Sequence, residues 1–245
     1  MVKWNFNPLT NEQEQQKEQI AKDLGINPVL AQLLVQRGVA TPEEARHFFH
    51  PRLSDLHDPF LMKAMDKAVD RLNEALQSRE RILIYGDYDV DGTTAVSLVY
   101  KFIGQFHSDL LFYLPDRDNE GSGISYKGIN YAVENGCSLI IALDCGIKAI
   151  EKVDYAKERG VDFIICDHHT TDDRIPDAVA VLDPKRNDCD YPYKHLCGCG
   201  VGFKFMQAFA MSNGLGQSSL FAMLDFVAVS IASDIVPITG ENRVM

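Results

Sequence analysis

From Arg81 onward, apolar runs of strand length alternate with stretches of helical period. The runs are ILIY at 82–85, LLFYL at 110–114, LIIAL at 139–143, VDFIIC at 161–166 and AVAVL at 178–182. Between them lie helix-like stretches at 93–105, 125–135 and 147–159. The runs are apolar at successive positions, so both faces of each strand are buried. Strands of that kind, separated by helices, build a parallel sheet covered on two sides. The pattern predicts an α/β fold, a mostly parallel sheet with helices on both faces. Helical patterning returns at 201–212 and 218–232.

Residues 1 to about 78 carry helical signals only. Asn27 and Pro28 form an N-cap followed by proline at the first helical position, and Gly38 closes the helix over Leu30, Leu33 and Leu34. Thr41 and Glu44 have capping-box spacing around Pro42. Leu61, Met65, Ala68, Leu72 and Leu76 recur at three- and four-residue steps, which predicts an amphipathic helix over 60–77. The Glu/Gln run at 12–19 reads as a solvated helix face. The predicted organisation is a small helical N-terminal region, 1–78, followed by an α/β domain, 79–245.

Composition narrows the class. With 46% hydrophobic and 24% charged residues in 245, the chain is globular and long enough for its own core. The charge sum, 24 − 35 = −11, argues against a broad basic face of the kind that binds nucleic acid nonspecifically. The longest apolar runs are strand-sized, so no membrane span is predicted. The polar opening MVKWNFNPLT carries no targeting signal, and the expectation is a cytoplasmic protein with six reduced cysteines. Cys145 and Cys166 end apolar runs as small core residues; Cys189, Cys197 and Cys199 form no CxxC pair, and CxC is poor zinc spacing.

The chemistry lies beyond the strands. ILIY runs into Gly86-Asp87-Tyr88-Asp89-Val90-Asp91-Gly92, LIIAL into Asp144-Cys145-Gly146, and FIIC into Asp167-His168-His169. Parallel strands place their carboxyl ends on one rim, where open α/β sheets bind ligands. Each aspartate alone could be a helix cap. Five of them with two histidines on one rim would repel strongly unless a cation neutralised them. Mainly oxygen donors suit Mg²⁺, and an added imidazole favours Mn²⁺. The number of carboxylates suits two ions about 3.5–4 Å apart, an arrangement that hydrolyses phosphoesters or phosphoanhydrides.

These motifs resemble the DHH phosphoesterase superfamily and, within it, the RecJ family of single-strand-specific exonucleases. The resemblance rests on GDYDVDGTTA at 86–95, LPDRDNEGSG at 114–123, LDCGI at 143–147, CDHHT at 166–170, LDPKRNDCDYPYKHLCGCGVGFKF at 182–205 and VAVSIASDIVPITGENR at 227–243, in that order. Ser122 stands where the family commonly has Tyr, and Asp183 where Asn is common.

The resemblance implies 5′→3′ hydrolysis of single-stranded DNA with two Mn²⁺ or Mg²⁺ ions. It implies metal ligands at Asp87, Asp89, Asp91, Asp144, His168 and Asp234, with Asp144 bridging; for Asp87 a turn-capping role stands beside ligation. Asp167 would orient a histidine, and His169 would face the scissile phosphate as donor or general acid. Phosphate grip would fall to Arg117, to the glycine turn Gly198, Gly200 and Gly202 before a helix, and to Lys204. Lys127, Lys185 and Arg186 are weaker candidates for tracking a backbone, and Tyr88 and Tyr126 for stacking bases. Single-strand-binding or helicase proteins would be partners. The family's DHHA1 and OB-type domains would lie beyond Met245, making this a catalytic portion. A DHH phosphodiesterase for short oligonucleotides or cyclic dinucleotides is the alternative activity; a non-catalytic scaffold is the third reading.

Overall fold

The computed structural model describes residues 7–245; the opening of the predicted helical region and of the targeting-signal reading, residues 1–6, lies outside it. A first compact unit runs to Leu56. It holds α1 (Asn11–Leu24), α2 (Pro28–Gln36) and α3 (Pro42–Phe49). Thr10 and Thr41 each close a capping box, and Asn27 accepts the Val29 N–H ahead of Pro28. Ile20, Ala31, Leu34, Val35 and Ala45 form its core.

The second unit begins at His57. Its elements in order are α4 (Met65–Gln77), β1 (Arg81–Gly86), α5 (Val90–Ile103), β2 (Leu110–Tyr113), α6 (Arg117–Glu120), α7 (Tyr126–Glu134), β3 (Cys137–Leu143), α8 (Ile150–Lys157), β4 (Asp162–Cys166), β5 (Ala180–Leu182), α9 (Gly198–Ser212), α10 (Ser218–Phe221), α11 (Leu224–Ser233) and α12 (Gly240–Val244). The five strands are all parallel in the order β2-β1-β3-β4-β5. Alternate side chains leave the sheet on opposite sides. Leu83, Tyr85, Ile140, Ala142, Phe163 and Ile165 pack with Ile129, Val153 and Ala156 of α7 and α8. The other face lies under α5 and α9.

Two predicted helices divide. The helix expected over 60–77 starts at Met65, because Ala64 adopts a left-handed backbone. α4 packs on α9 and β5, so in this structure the lead predicted over 1–78 divides after Leu56. The stretch expected at 218–232 is two helices, α10 and α11, separated at Ala222 and Met223. Among the described residues, no helix is long and apolar enough to cross a membrane.

The chain leaves β1 outward to β2, then returns across β1 to β3. That reversal opens a crevice at the carboxyl ends of β1 and β3. The acidic motifs follow both strands.

Candidate metal centre

The loop after β1 folds back tightly. A Cβ on Gly92 would lie 2.4 Å from the Asp87 carbonyl oxygen, so only glycine permits the approach. Asp89 caps α5, its carboxylate accepting the Gly92 N–H at 2.9 Å. Asp87 accepts the Tyr88 N–H at 2.7 Å and the Gly123 N–H at 3.2 Å, tying this loop to the segment after α6.

Asp91 is the buried anchor, 2% exposed. It accepts N–H groups from Gly198 at 2.7 Å and Cys199 at 2.6 Å, and the Ser230 hydroxyl at 2.7 Å. A helix N-terminus attracts an anion. Here the protein's own Asp91 takes that place on α9. This corrects the expectation that Gly198, Gly200 and Gly202 cradle phosphate. Gly198 faces Asp91 and Asp144; the Gly200 N–H donates to Cys197 Sγ at 3.3 Å; a Cβ on Gly202 would press on Leu143 and Val99. Gly198 and Gly202 let α9 lie close to the end of β3.

Asp144 ends β3 in a left-handed backbone, φ 60°, a costly conformation for a non-glycine residue. Its N–H donates to Cys166 at 2.8 Å, which ties it to the end of β4. Because Leu143 pairs with Cys166, Asp144 stands beside the Asp167-His168-His169 run. The His168 Nε2 lies 3.1 Å from Asp144, 3.6 Å from Asp91 and 3.7 Å from Asp234, which ends α11. Asp167 points inward, 1% exposed. It accepts the Ile147, His168 and His169 N–H groups, and its Oδ1 lies 2.7 Å from His169 Nδ1.

These residues fit a cation. Ligands 2.1 Å from an octahedral ion stand about 3.0 Å apart when adjacent and about 4.2 Å when opposite. The separations around His168 fall in that interval. Two groups among the described residues offer ligand atoms mutually within 4.8 Å: Asp91, His168 and Asp234, and Asp144, His168 and His169. Among the described residues five buried side-chain atoms lack any hydrogen-bond partner, and three are Asp144 Oδ1, His168 Nδ1 and Asp183 Oδ2.

The electrostatics agree. Burial, then the negative charges of Asp91, Asp89 and Asp167, push the Asp144 carboxyl up to about 10. Burial also raises Asp87 and Asp234. Asp167 goes the other way: against its burial, hydrogen bonds from His169, Ile147 and His168 hold its carboxyl below the usual range. The bond to Asp167 in turn raises His169. Without a cation this cluster must take up protons to relieve its charge.

Of the predicted phosphate-gripping residues, Arg117 is exposed at the start of α6, its guanidinium 5.3 Å over the Tyr88 ring. Lys204 is corrected. It is wholly buried, donating to the His57 carbonyl at 2.6 Å and to Glu241 at 3.1 Å, so it reaches no ligand outside the fold. Arg186 is buried against Asp188 and the Val181 carbonyl, and Lys127 pairs with Glu120. Tyr126 packs edge-on against Tyr155. Cys197 caps α9 through its sulfur, and all six cysteines are buried free thiols.

Two contributors were missed from the sequence: Ser230, which donates to Asp91, and Asp183. Asp183 carried a readable signal, because it follows β5 as the other acids follow their strands. Burial pushes its carboxyl up to about 7.

The DHH family, N-terminal domain, matches residues 81–231. The single-stranded-DNA-specific exonuclease RecJ of Bacillus subtilis (strain 168) is 41% identical over 226 residues, 92% of this chain and 28% of that protein. RecJ of Dickeya dadantii (strain 3937) is 33% identical over 227 residues, 89% of this chain and 39% of that protein. The crystal structure of RecJ in complex with Mn²⁺ from Thermus thermophilus superposes with a TM-score of 0.77 at 25% identity, over 94% of this chain and 32% of that one. A crystal structure of exonuclease RecJ bound to manganese gives a TM-score of 0.68 at 30% identity, over 74% of this chain and 46% of that one. The chain thus spans less than half the length of these relatives.

Proposed function

Since this chain belongs to the DHH family, we propose that it hydrolyses phosphodiester bonds in single-stranded DNA, as the metal-bearing part of a RecJ-type 5′→3′ exonuclease. One observation carries this reading: His168 Nε2 stands within 3.7 Å of Asp91, Asp144 and Asp234 at the sheet's switch point. In this reading Asp91, Asp144, His168 and Asp234 would hold one Mn²⁺ or Mg²⁺. Asp144 would be shared with a second ion, which would draw on Asp89 or Asp87. Bound there, the ions supply a water of lowered pKa and neutralise charge on the phosphate.

The remaining residues act around the ions. Asp167 holds His169 by Nδ1 at 2.7 Å, and the His169 side chain is more than half exposed. The bond to Asp167 favours the protonated ring, and in this reading His169 donates to a phosphate oxygen or to the departing oxygen. Arg117 takes a phosphate by its guanidinium fork, with Tyr88 beside it as a stacking face for a base. Single-strand-binding or helicase proteins would deliver the strand.

The experiment supplies Mn²⁺ and, in parallel, a 5′-labelled single strand, a labelled duplex and a cyclic dinucleotide. Mononucleotide release from the single strand alone, abolished by Asp144→Ala, is expected. Cleavage of the dinucleotide alone, or undiminished release by Asp144→Ala, overturns the reading.

A further inference from the structure

The geometry points to Asp183 as a positioning residue for the metal centre: the carboxylate that holds His168 with its proton on Nδ1, so that Nε2 presents a lone pair to the ion. The inference rests on the metal reading above.

A neutral imidazole carries one proton, and a nitrogen that binds a metal cannot keep it. His168 presents Nε2 to three carboxylates, so in the metal-bound form its proton belongs on Nδ1. That Nδ1 is buried and has no hydrogen-bond partner in this structure. A ligating histidine ordinarily donates its second nitrogen to a carboxylate or carbonyl, which fixes both tautomer and ring orientation.

Asp167 is not available for this. Its Oδ1 takes His169 Nδ1 and the His168 and His169 N–H groups, and its Oδ2 takes the Ile147 N–H. Asp183 is available. β5 pairs with β4 so that Leu182 lies opposite Cys166, and the Leu182 carbonyl accepts the Asp167 N–H at 2.9 Å. Asp183 therefore leaves its strand alongside Asp167 and His168. It is wholly buried. Its Oδ1 is pinned by the Lys185 N–H at 2.7 Å, while its Oδ2 is buried without a partner. A buried orphan donor on His168 and a buried orphan acceptor on Asp183 thus sit at the ends of neighbouring strands. Pairing them would satisfy both groups at once and fix the His168 ring.

Mn²⁺ affinity and the His168 tautomer test this together. Asp183→Leu, with its fold checked by circular dichroism, should weaken Mn²⁺ binding in calorimetry by roughly 10–100-fold. Asp183→Asn keeps an acceptor oxygen and should stay close to the wild type. In ¹⁵N-detected spectra of the Zn²⁺-loaded wild type, His168 should be protonated at Nδ1 and bare at Nε2. Equal Mn²⁺ affinity for Asp183→Leu and the wild type overturns the inference and leaves the metal reading standing. A wild type that binds no Mn²⁺ overturns both. Should Asp183→Leu fail to fold, the wild-type spectrum decides: His168 protonated at Nε2 in the loaded protein overturns the inference.

Discussion

At the scale of single residues, the centre gathers charge that a cation relieves and that, in its absence, bound protons must relieve. Asp144 shows this most clearly, 3% exposed among three other carboxylates and held up to about 10. The sign follows from proton counts. The unfolded carboxyl titrates near 3.9, so between about pH 4 and pH 10 the folded, metal-free chain holds more protons than the unfolded one. Stability from this group therefore falls as pH rises through that window. Asp144→Asn should melt at least ~2 °C higher than the wild type at pH 8 in EDTA, with the gap closing toward pH 4; identical melts at pH 8 would refute the argument. What the sequence made legible at this scale was the acidic cluster, because aspartates placed after parallel strands must share one rim. Lys204 was misread for a physical reason. Nothing local to it shows that Glu241, 37 residues later, closes over it inside the fold.

At the scale of elements, the strand reading held because all five apolar runs exceed what one buried face needs, and the structure has a strand in each. Period alone could not show where a helix breaks. Ala64, in a left-handed backbone, and the turn at Ala222 and Met223 each interrupt an otherwise continuous pattern. Nor could it show how close α9 comes to β3. That approach is testable. A Cβ on Gly198 would lie 2.6 Å from the Asp144 Cβ, and overpacking of this kind costs typically about 1–3 kcal/mol. Gly198→Ala should lower the melting temperature by at least ~2 °C and weaken Mn²⁺ binding. Gly216→Ala, where an added Cβ meets open space, should change neither. Calorimetry on the two variants separates the effects.

At the scale of the whole molecule, the charge of −11 takes on a specific meaning. Part of that excess is gathered on one rim, so divalent cations should act on this chain by binding rather than by screening. At 100 times its dissociation constant, a ligand that binds only the folded form stabilises it by about 2.7 kcal/mol. For a chain of this size that is a rise of roughly 5–11 °C. Scanning calorimetry should show such a rise with Mn²⁺, none with NaCl at matched ionic strength, and a smaller one in Asp234→Asn. Equal shifts from Mn²⁺ and NaCl would mean that the rim holds no ion.

The grip on Asp91 has one more consequence, for the order in which the molecule is made. Its three partners, Gly198, Cys199 and Ser230, lie 107, 108 and 139 residues further along. Contacts of that separation must close a long loop before they repay its entropy. During synthesis from the N-terminus, the strands that display the first acids are finished while the α9 amides and Ser230 are still to be added. Asp91 then stays solvated and Asp234 does not yet exist. Assembly of the centre is therefore tied to completion of α11, and a half-made chain presents an acidic rim without the geometry to use it.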